Sequence, residues 1–311
     1  MKKKFTLLIT FLAVVNLTSC NFIGVFRAIE TPANTITNNE IKQHFTKPWA
    51  AYWIGHATVL VRIYDKWFIT DPSYADTAGL IAKRFVALPI QVKNLPKISF
   101  SLISHLHLDH FDLRSLHQMR HDGALAVPKD MVNYLPQLKF EKIFLMQYWQ
   151  SVTYDEVKVT AVPARHFGGR FGADILWTKK PYTGYIIEYK GVTIYFAGDT
   201  GRDDTLYKAI GKKYKIDLAL IPMGPARSNR SDLVRDVHLM PQDAVKAFED
   251  LGANFMLPIH HSTFYIRGES EPRLIRDAIL HSKTRDRIFL INIGQGITTE
   301  KINGKKVVKI I

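Results

Sequence analysis

The chain has 311 residues, of which 47% are hydrophobic and 23% charged. This is an ordinary globular composition that excludes a low-complexity chain. The formal net charge of +14 is compatible with an anionic membrane surface, with nucleic acid, or with no specific partner. No recognition helix or basic–aromatic module accompanies the charge, so no nucleic-acid partner is expected. Because no linker rich in Pro, Gly or Ser interrupts residues 48–311, they are predicted to form one domain.

The first twenty residues are typical of a bacterial lipoprotein signal. A lysine triplet at positions 2–4 precedes an apolar run over residues 5–15, which is too short for an ordinary membrane-spanning helix. Leu17-Thr18-Ser19-Cys20 then matches the lipoprotein cleavage site, so Cys20 is predicted to become the lipid-bearing N-terminus. Cys20 is the only cysteine and cannot form an internal disulfide. The alternative is an ordinary signal peptide with an incidental cysteine.

Residues 21–47 are polar and are predicted to tether the domain to a membrane surface through the acyl chains on Cys20. Subtracting the three lysines of the signal from +14 leaves +11, and a basic face would add attraction to anionic lipid. Asn21 rather than aspartate follows the cysteine, which favours the outer membrane in a cell that has two. The expected location is therefore the cell envelope.

The domain opens with three predicted strands, Trp49–Ile54, Thr58–Tyr64 and Trp67–Thr70. The third strand ends at Asp71-Pro72, where Asp71 is either a turn residue before proline or a functional carboxylate. His56 lies in the first turn and is either a core histidine or a group that supports a metal ligand. Residues 73–97 contain two Leu-Pro pairs and predict an irregular loop at the rim of a site.

A dense group of potential metal ligands follows the apolar run of residues 98–103: His105, His107, Asp109 and His110. Alternate residues of an extended segment point the same way, so His105 and His107 can reach one ion together. Asp109 and His110 come where the chain bends into a helix capped by Asp112, and they can reach a second ion. Imidazoles mixed with carboxylates favour a catalytic zinc site over a structural one. Surface histidines near a strand end are the alternative.

Further candidate ligands follow later strands, which are predicted at Ala124–Val127, Lys142–Met146, Val157–Val162, Gly184–Tyr189, Val192–Phe196, Ile216–Pro222 and Phe255–Ile259. His166 and His260 each come just after a strand. Asp199 lies among small residues in Ala197-Gly198-Asp199-Thr200-Gly201, where an exposed carboxylate can bridge two cations. The alternative is that Asp199 is the N-cap of the following helix. Asp203 or Asp204 can cap that helix instead, which leaves Asp199 free.

Two helices are predicted near the end of the chain, one from Pro241 to Gly252 and one over residues 274–279. Two short strands, Ile288–Ile291 and Val307–Ile311, are predicted to close the domain. Strand-rich halves that are each followed by helices predict an α/β sandwich with helices outside and metals at one edge.

The pattern H-x-H-x-D-H at residues 105–110 resembles the signature of the metallo-β-lactamase superfamily, and the order of motifs over residues 50–265 is similar. The resemblance implies a four-layer αβ/βα sandwich with two divalent metal ions, favouring zinc but compatible with iron or manganese. It also implies that Asp71 orients a ligand histidine by hydrogen bonding. The implied ligands are His105, His107 and His166 for one ion, Asp109, His110 and His260 for the other, and Asp199 as a bridge.

Four motifs narrow the resemblance to N-acylphosphatidylethanolamine-hydrolysing phospholipase D: Phe196–Gly201, Ile221–Gly224, His238-x-x-Pro-x-x-Ala and Ile259-His260-x-x-Thr-Phe. That family cleaves a phosphodiester into phosphatidic acid and an N-acylethanolamine, so a phospholipid or another phosphodiester is the implied substrate. His238 would lie near the mouth of the site and contact the phosphate or donate a proton. His261-Ser262 departs from the family, which usually has an aromatic residue and glycine there.

The ligand set predicts a hydrolase, because two ions that share a water lower its pKa from about 15.7 towards about 7. Asp109 could also steer the resulting hydroxide. The favoured function is a membrane-anchored phosphodiesterase. A lactonase-like hydrolase of the same fold and a non-catalytic zinc-binding lipoprotein are the alternatives. β-Lactamase activity is disfavoured because Asp199 stands where those enzymes usually carry cysteine.

Overall fold

The computed structural model describes residues 32–37, 41, 46–78, 82–119, 123–170, 179–226, 235–264, 271–302 and 305–311. The predicted signal, Cys20 and most of the predicted tether lie outside these residues. Within the described ranges, no helix is both long and apolar enough to cross a bilayer.

Strands dominate the described residues. In chain order they are β1 Trp49–Gly55, β2 Thr58–Ile63, β3 Lys66–Thr70, β4 Thr77–Ala78, β5 Ala82–Lys83, β6 Phe100–Leu102, β7 Ala124–Pro128, β8 Lys142–Met146, β9 Ser151–Tyr154, β10 Val157–Val162, β11 Gly184–Tyr189, β12 Val192–Phe196, β13 Leu218–Pro222, β14 Phe255–Ile259, β15 Gly296–Ile302 and β16 Lys305–Ile310. The described helices are α1 Leu113–Gln118, α2 Leu206–Lys213, α3 Pro241–Leu251 and α4 Glu271–Leu280, with 3-10 turns at Val92–Asn94, Lys129–Tyr134 and Arg285–Arg287.

Two mixed sheets carry these strands. The first has the order β16-β15-β1-β2-β3-β6-β7-β8, and the second β14-β13-β12-β11-β10-β9. The pairs β3/β6, β6/β7 and β7/β8 are parallel in the first sheet, as are β12/β13 and β13/β14 in the second. Strands β4 and β5 form a separate small ribbon.

The two sheets pack face to face through one apolar core. Val59 and Phe68 from the first sheet share this core with Val159, Ile187 and Phe196 from the second. Side chains alternate between the faces of a strand, so the next residues along each strand point outward. The two sheets on either side of this core are the inner two layers of the fold.

Helices cover the outer face of each sheet. Leu60 on the first sheet clusters with Leu116 of α1, whereas Ile221 on the second clusters with Phe248 of α3 and Ile275 of α4. The order of layers is helix, sheet, sheet, helix. The predicted four-layer αβ/βα sandwich is confirmed.

Local sequence explains where two of the helices begin and end. Asp112 is the N-cap of α1, and its side chain accepts a hydrogen bond from the Arg114 amide. Pro241 opens α3, and Gly252 ends it in the left-handed conformation with φ 63°. Both helix boundaries follow the sequence prediction.

The closing strands differ from the prediction. Ile288 makes only an isolated bridge to Met256, so the predicted strand Ile288–Ile291 is wrong. Strand β15 instead pairs antiparallel with β1 and with β16. The apolar run at 288–291 was mistaken for a strand because its side chains pack against the domain without forming a ladder. Strand β9 was missed, since its turn to β10 places Asp155 and Glu156 at positive φ without a glycine.

Part of the segment predicted as a tether packs on the domain. Ile36 and Ile41 are buried with the outer apolar cluster of the first sheet. The Ile36 amide donates to the Pro89 carbonyl oxygen at 2.9 Å. Gly294 permits the close approach of Asn34, because a Cβ at position 294 would lie 1.8 Å from the Asn34 oxygen. The described residues of this segment are therefore an ordered part of the fold.

Candidate metal centre

Strand ends from both sheets converge at one edge of the sandwich. Strand β6 leads into the histidine-rich loop at 105–110, and β3 ends immediately before Asp71. From the other sheet, His166 follows β10, Asp199 follows β12 and His260 follows β14. The fold thus brings together ligands that are up to 155 positions apart in the sequence.

The first ligand cluster consists of His105, His107, His166 and Asp199, whose ligand atoms all lie within 4.8 Å of one another. The Nδ1 atom of His107 is 2.9 Å from His105 Nε2 and 3.3 Å from His166 Nε2. Asp199 Oδ2 is 3.9 Å from the Nε2 atoms of His105 and His166. This is the arrangement expected for one shared ion.

The second cluster contains Asp109, His110 and His260, together with His56, and the ligand atoms of all four lie within 4.8 Å of one another. The Nε2 atoms of His110 and His260 are 3.1 Å apart, and Asp109 Oδ2 lies 3.7 and 3.9 Å from them. Asp199 Oδ2 is also near both nitrogens, at 3.4 Å from His110 and 3.2 Å from His260. Asp199 therefore occupies the position between the clusters that a bridging carboxylate needs.

Backbone carbonyls orient two of the histidines. His166 Nδ1 donates to the Val237 oxygen at 2.8 Å, and His260 Nδ1 donates to the Gly224 oxygen at 3.1 Å. A carbonyl oxygen can only accept, so each Nδ1 carries a proton. In the neutral imidazole, Nε2 is then left with a lone pair that faces the cluster.

A network of side-chain hydrogen bonds orients His105 and His110. The Asp71 carboxylate accepts from His110 Nδ1 at 2.7 Å and from the Ser104 hydroxyl. Because that hydroxyl proton is used on Asp71, the Ser104 oxygen accepts from His105 Nδ1 at 2.9 Å. Asp71 thus lies where the resemblance implied, beneath the clusters and against a candidate ligand.

The donor set fits divalent cations. The Nε2 atoms of His110 and His260 face each other across 3.1 Å, and the repulsion of their lone pairs is relieved by a metal ion or, without one, by a shared proton. Within the described residues, the buried Asp199 Oδ1 has no hydrogen-bond partner. A buried carboxylate oxygen without a donor is costly unless it meets a cation.

Burial and neighbouring charges prepare these groups for that role. Burial, together with the nearby histidines, lowers the pKa of His105 and His166 well below the ordinary value, so both remain neutral. Burial opposes ionisation of Asp199, but the attraction of His260 and His110 outweighs it and holds the carboxyl pKa well below its usual range. Burial opposes protonation of His110 and His260 as well, but the attraction of Asp199 outweighs it and raises the pKa of both rings. The centre therefore holds neutral imidazoles at His105 and His166 beside an ionised carboxylate at Asp199.

His238, the predicted catalytic histidine, lies at the rim of the centre. Its Nδ1 is 3.6 Å from Asp199 Oδ2, and its ring centroid is 5.0 Å from that of His166. Its side chain is 16% exposed and that of Asp109 is 30% exposed, whereas His105 and His110 are fully buried. An incoming molecule would therefore meet His238, Asp109 and the half-buried His107.

Two supporting residues were not assigned from the sequence. His56 Nε2 is 2.9 Å from Asp109 Oδ2, and its ring centroid is 4.0 Å from that of His260. Arg170 donates from Nη1 to the carbonyl oxygens of Leu106 and Phe111, at 3.1 and 2.9 Å. The position of His56 in the first turn indicated that it could support a metal ligand, whereas nothing in the sequence indicated the role of Arg170.

Comparison with known proteins identifies the class. Residues 66–261 match the family described as the beta-lactamase superfamily domain, and this match covers more than half of the chain. The chain therefore belongs to that superfamily. Together with the two ligand clusters, this defines a metal-dependent hydrolase of the metallo-β-lactamase fold.

One of two curated relatives carries the name of the narrower family. N-acyl-phosphatidylethanolamine-hydrolyzing phospholipase D 1 of Caenorhabditis elegans is 29% identical over 262 residues, covering 75% of this chain and 68% of the relative. An uncharacterised protein of Mycobacterium tuberculosis is 30% identical over 249 residues. That match covers 74% of this chain and 64% of the relative, so the chain spans slightly less than two thirds of the mycobacterial protein.

A solved structure shows the same fold. Igni18, a metallo hydrolase from Ignicoccus hospitalis, superposes with a TM-score of 0.60 at 18% identity, covering 81% of this chain and 98% of Igni18. At this identity the similarity concerns the fold alone.

The network around Asp71 yields a first prediction. Replacing Asp71→Asn leaves the size of the side chain unchanged but puts an amide NH₂ against groups that donate to it, so at least one bond to Ser104 or His110 is lost. We expect zinc affinity to fall by about 10- to 100-fold, measured by competition with a chromogenic chelator. Asp76→Asn, an exposed carboxylate in the following loop, is the matched control and should bind zinc like wild type. Equal affinities for the two variants would contradict an orienting role.

Proposed function

We propose that this protein is a phosphodiesterase of the phospholipase D type that acts on N-acylphosphatidylethanolamine-like lipids at a membrane surface. The observation that carries the proposal is the pair of ligand clusters sharing Asp199. The 29% identity to a worm enzyme named for this reaction supports the choice of substrate. The products would be phosphatidic acid and an N-acylethanolamine.

We infer two divalent ions, preferably zinc, because imidazole nitrogens outnumber carboxylates among the candidate ligands. His105, His107 and His166 would hold one ion, and Asp109, His110 and His260 the other, with Asp199 shared. When bound, such ions supply Lewis acidity that polarises a phosphoryl oxygen and lowers the pKa of water towards neutrality.

Asp109 is suited to orient the attacking water. One of its oxygens is held by His56 at 2.9 Å, which fixes the plane of the carboxylate. The side chain is nevertheless 30% exposed, so it faces the space that a substrate enters. A fixed carboxylate at this position can accept a hydrogen bond from the water and direct its lone pair at phosphorus.

His238 is suited to protonate the leaving group. A bond forms between water oxygen and phosphorus while the bond from phosphorus to the ethanolamine oxygen breaks. That oxygen leaves as a strongly basic alkoxide and needs a proton. The imidazole of His238, 3.6 Å from Asp199 at the rim of the centre, is placed to supply it.

Anchoring at a membrane would place the active site next to its lipid substrate. We propose that Cys20 carries acyl chains and that the protein is an exported lipoprotein of the cell envelope. The sequence around Cys20 and the net charge of +14 support this location, since basic proteins are attracted to anionic lipid.

The principal test uses the full-length zinc-loaded protein with N-acylphosphatidylethanolamine in detergent micelles. We expect phosphatidic acid by mass spectrometry, its loss after chelation, and its recovery when zinc is restored. His107→Ala should lower turnover by at least about a thousandfold, because one of the ions loses a ligand that lies between two others. His117→Ala, an exposed histidine on α1, is the matched control and should retain full activity.

Other outcomes of the assay discriminate between the alternatives. Full activity of His107→Ala with normal zinc content would contradict the metal assignment. Turnover of a lactone but not of any phosphodiester would replace the proposed reaction with carbonyl hydrolysis. A zinc-loaded protein that is inert towards both substrate classes would favour a binding role.

The role of His238 can be tested by changing the leaving group. His238→Ala should slow hydrolysis of the lipid about 100-fold, because an alkoxide must be protonated as it departs. The same variant should hydrolyse bis(p-nitrophenyl) phosphate within about threefold of the wild-type rate, because p-nitrophenolate leaves without a proton. Equal losses on both substrates would assign His238 to phosphate binding instead.

The anchor can be tested by cell fractionation. Wild-type protein expressed with its own N-terminus should sediment with membranes and partition into Triton X-114. Cys20→Ser should shift the protein to the aqueous phase, because the attachment point for the acyl chains is lost. Unchanged partitioning of Cys20→Ser would rule out lipidation at this residue.

A further inference from the structure

The turn between β1 and β2 brings His56 to the candidate metal centre. His56 has a positive φ of 53°, which is uncommon for a residue other than glycine. The loop after β14 holds this conformation, because the His56 amide donates to the Thr263 hydroxyl and the His56 carbonyl oxygen accepts from the His260 amide at 2.9 Å. The Trp53 indole donates to the same carbonyl oxygen at 2.9 Å. A turn of the first sheet is therefore hydrogen-bonded to a ligand loop of the second.

The ring of His56 is directed at Asp109. Its Nε2 is 2.9 Å from Asp109 Oδ2. The ring centroid is 4.0 Å from that of His260, and an edge-on contact places it 5.0 Å from that of Phe264. The residue is 6% exposed, so packing against these two rings keeps the imidazole in place.

The chemistry of this pair makes His56 a hydrogen-bond donor and not a metal ligand. Asp109 can bind a cation only as a carboxylate, and a carboxylate only accepts hydrogen bonds, so the proton between the two groups lies on His56 Nε2. A ring nitrogen that carries a proton has no lone pair for an ion. Although His56 lies within reach of the second cluster, it can therefore act on an ion only through Asp109.

The carboxylate of Asp109 needs such support because it is more exposed than the imidazoles beside it. Its side chain is 30% exposed, against 0% for His110 and 5% for His260. Both imidazoles are already oriented by hydrogen bonds from Nδ1. An exposed side chain loses conformational freedom when it binds an ion, and the bond from His56 removes part of that freedom in advance.

We propose that His56 is a positioning residue that holds Asp109 for the second ion and thereby controls how tightly the centre keeps that ion. Without the bond from His56, the ion would itself have to order Asp109. The first cluster is formed by other residues, so its ion should be unaffected. This inference rests on the two-ion part of the proposed function and not on the identity of the substrate.

The test is a zinc titration of the metal-free full-length protein in detergent, in competition with a chromogenic chelator. Wild type should bind two ions. His56→Phe keeps an aromatic ring but removes the donor, and should weaken binding of the second ion about 10- to 100-fold without changing the first. His56→Gln should bind the second ion within about threefold of wild type, because its amide N–H can donate to the carboxylate. His281→Phe, at an exposed histidine just after α4, is the matched control and should bind both ions like wild type.

A second comparison shows whether His56 acts through Asp109. In an Asp109→Ala background, His56→Phe should cause no further loss of affinity for the second ion, because the group that it positions is gone. An additional loss there would assign His56 a separate structural role and overturn the inference.

First-ion affinity equal to wild type shows that each variant is folded. Loss of both ions in His56→Phe would contradict a selective effect and overturn the inference, as would equal affinities for the second ion in wild type and His56→Phe. Neither result would contradict the proposed reaction. A wild-type protein that binds two ions but hydrolyses no phosphodiester would contradict that reaction and leave the role of His56 standing.

Discussion

The Asp71 carboxylate, which is fully buried, accepts hydrogen bonds from the Ser104 amide at 2.6 Å, from the Ser104 hydroxyl and from His110 Nδ1 at 2.7 Å. Its backbone is held as well, since the Asp71 amide donates to Leu102 at 2.8 Å. Burial raises the pKa of Asp71, and the bonds from His110 and Ser104 oppose that rise. One residue therefore joins the ends of β3 and β6, and it decides which nitrogen of His110 faces the candidate metal centre.

Backbone hydrogen bonds also fix the loops of the second sheet that carry candidate ligands. Gly201 donates to the Arg165 carbonyl at 2.6 Å, and Leu239 donates to the Thr200 carbonyl at 2.9 Å. The loops that carry His166, Asp199 and His238 are consequently linked in series. Val237, whose carbonyl orients His166, belongs to the same linked set. The candidate ligands are thus positioned by folding itself, which would reduce the reorganisation needed for an ion to bind.

The metal centre could be predicted from the sequence because four potential ligands lie close together at residues 105–110. In an extended segment the side chains of His105 and His107 point the same way, so they can bind one ion together. Strand-rich halves that are each followed by helices predicted an α/β sandwich, and the resemblance to the superfamily implied its four layers. What could not be read were contacts that depend on tertiary geometry. The pairing of His56 with Asp109 and the choice of Val237 and Gly224 as partners are examples, because any residue can present a carbonyl. The wrong strand prediction at Ile288–Ile291 has the same origin, since apolar residues can be buried without pairing with a neighbouring strand.

The charge of the centre bears on how it would stabilise the anions formed in the reactions that this fold can support. Asp109 and Asp199 are the carboxylates within the two clusters, and the other ligands are imidazoles. Two divalent ions would exceed the negative charge of these carboxylates and leave a positive centre. A phosphodiester is an anion whose transition state spreads charge over its non-bridging oxygens, so it benefits from that excess before and during reaction. A lactone is neutral and benefits only when an oxyanion develops. The electrostatic balance of the ligand set is therefore compatible with both substrate classes, and the choice between them rests on the similarity to the phospholipase D relative.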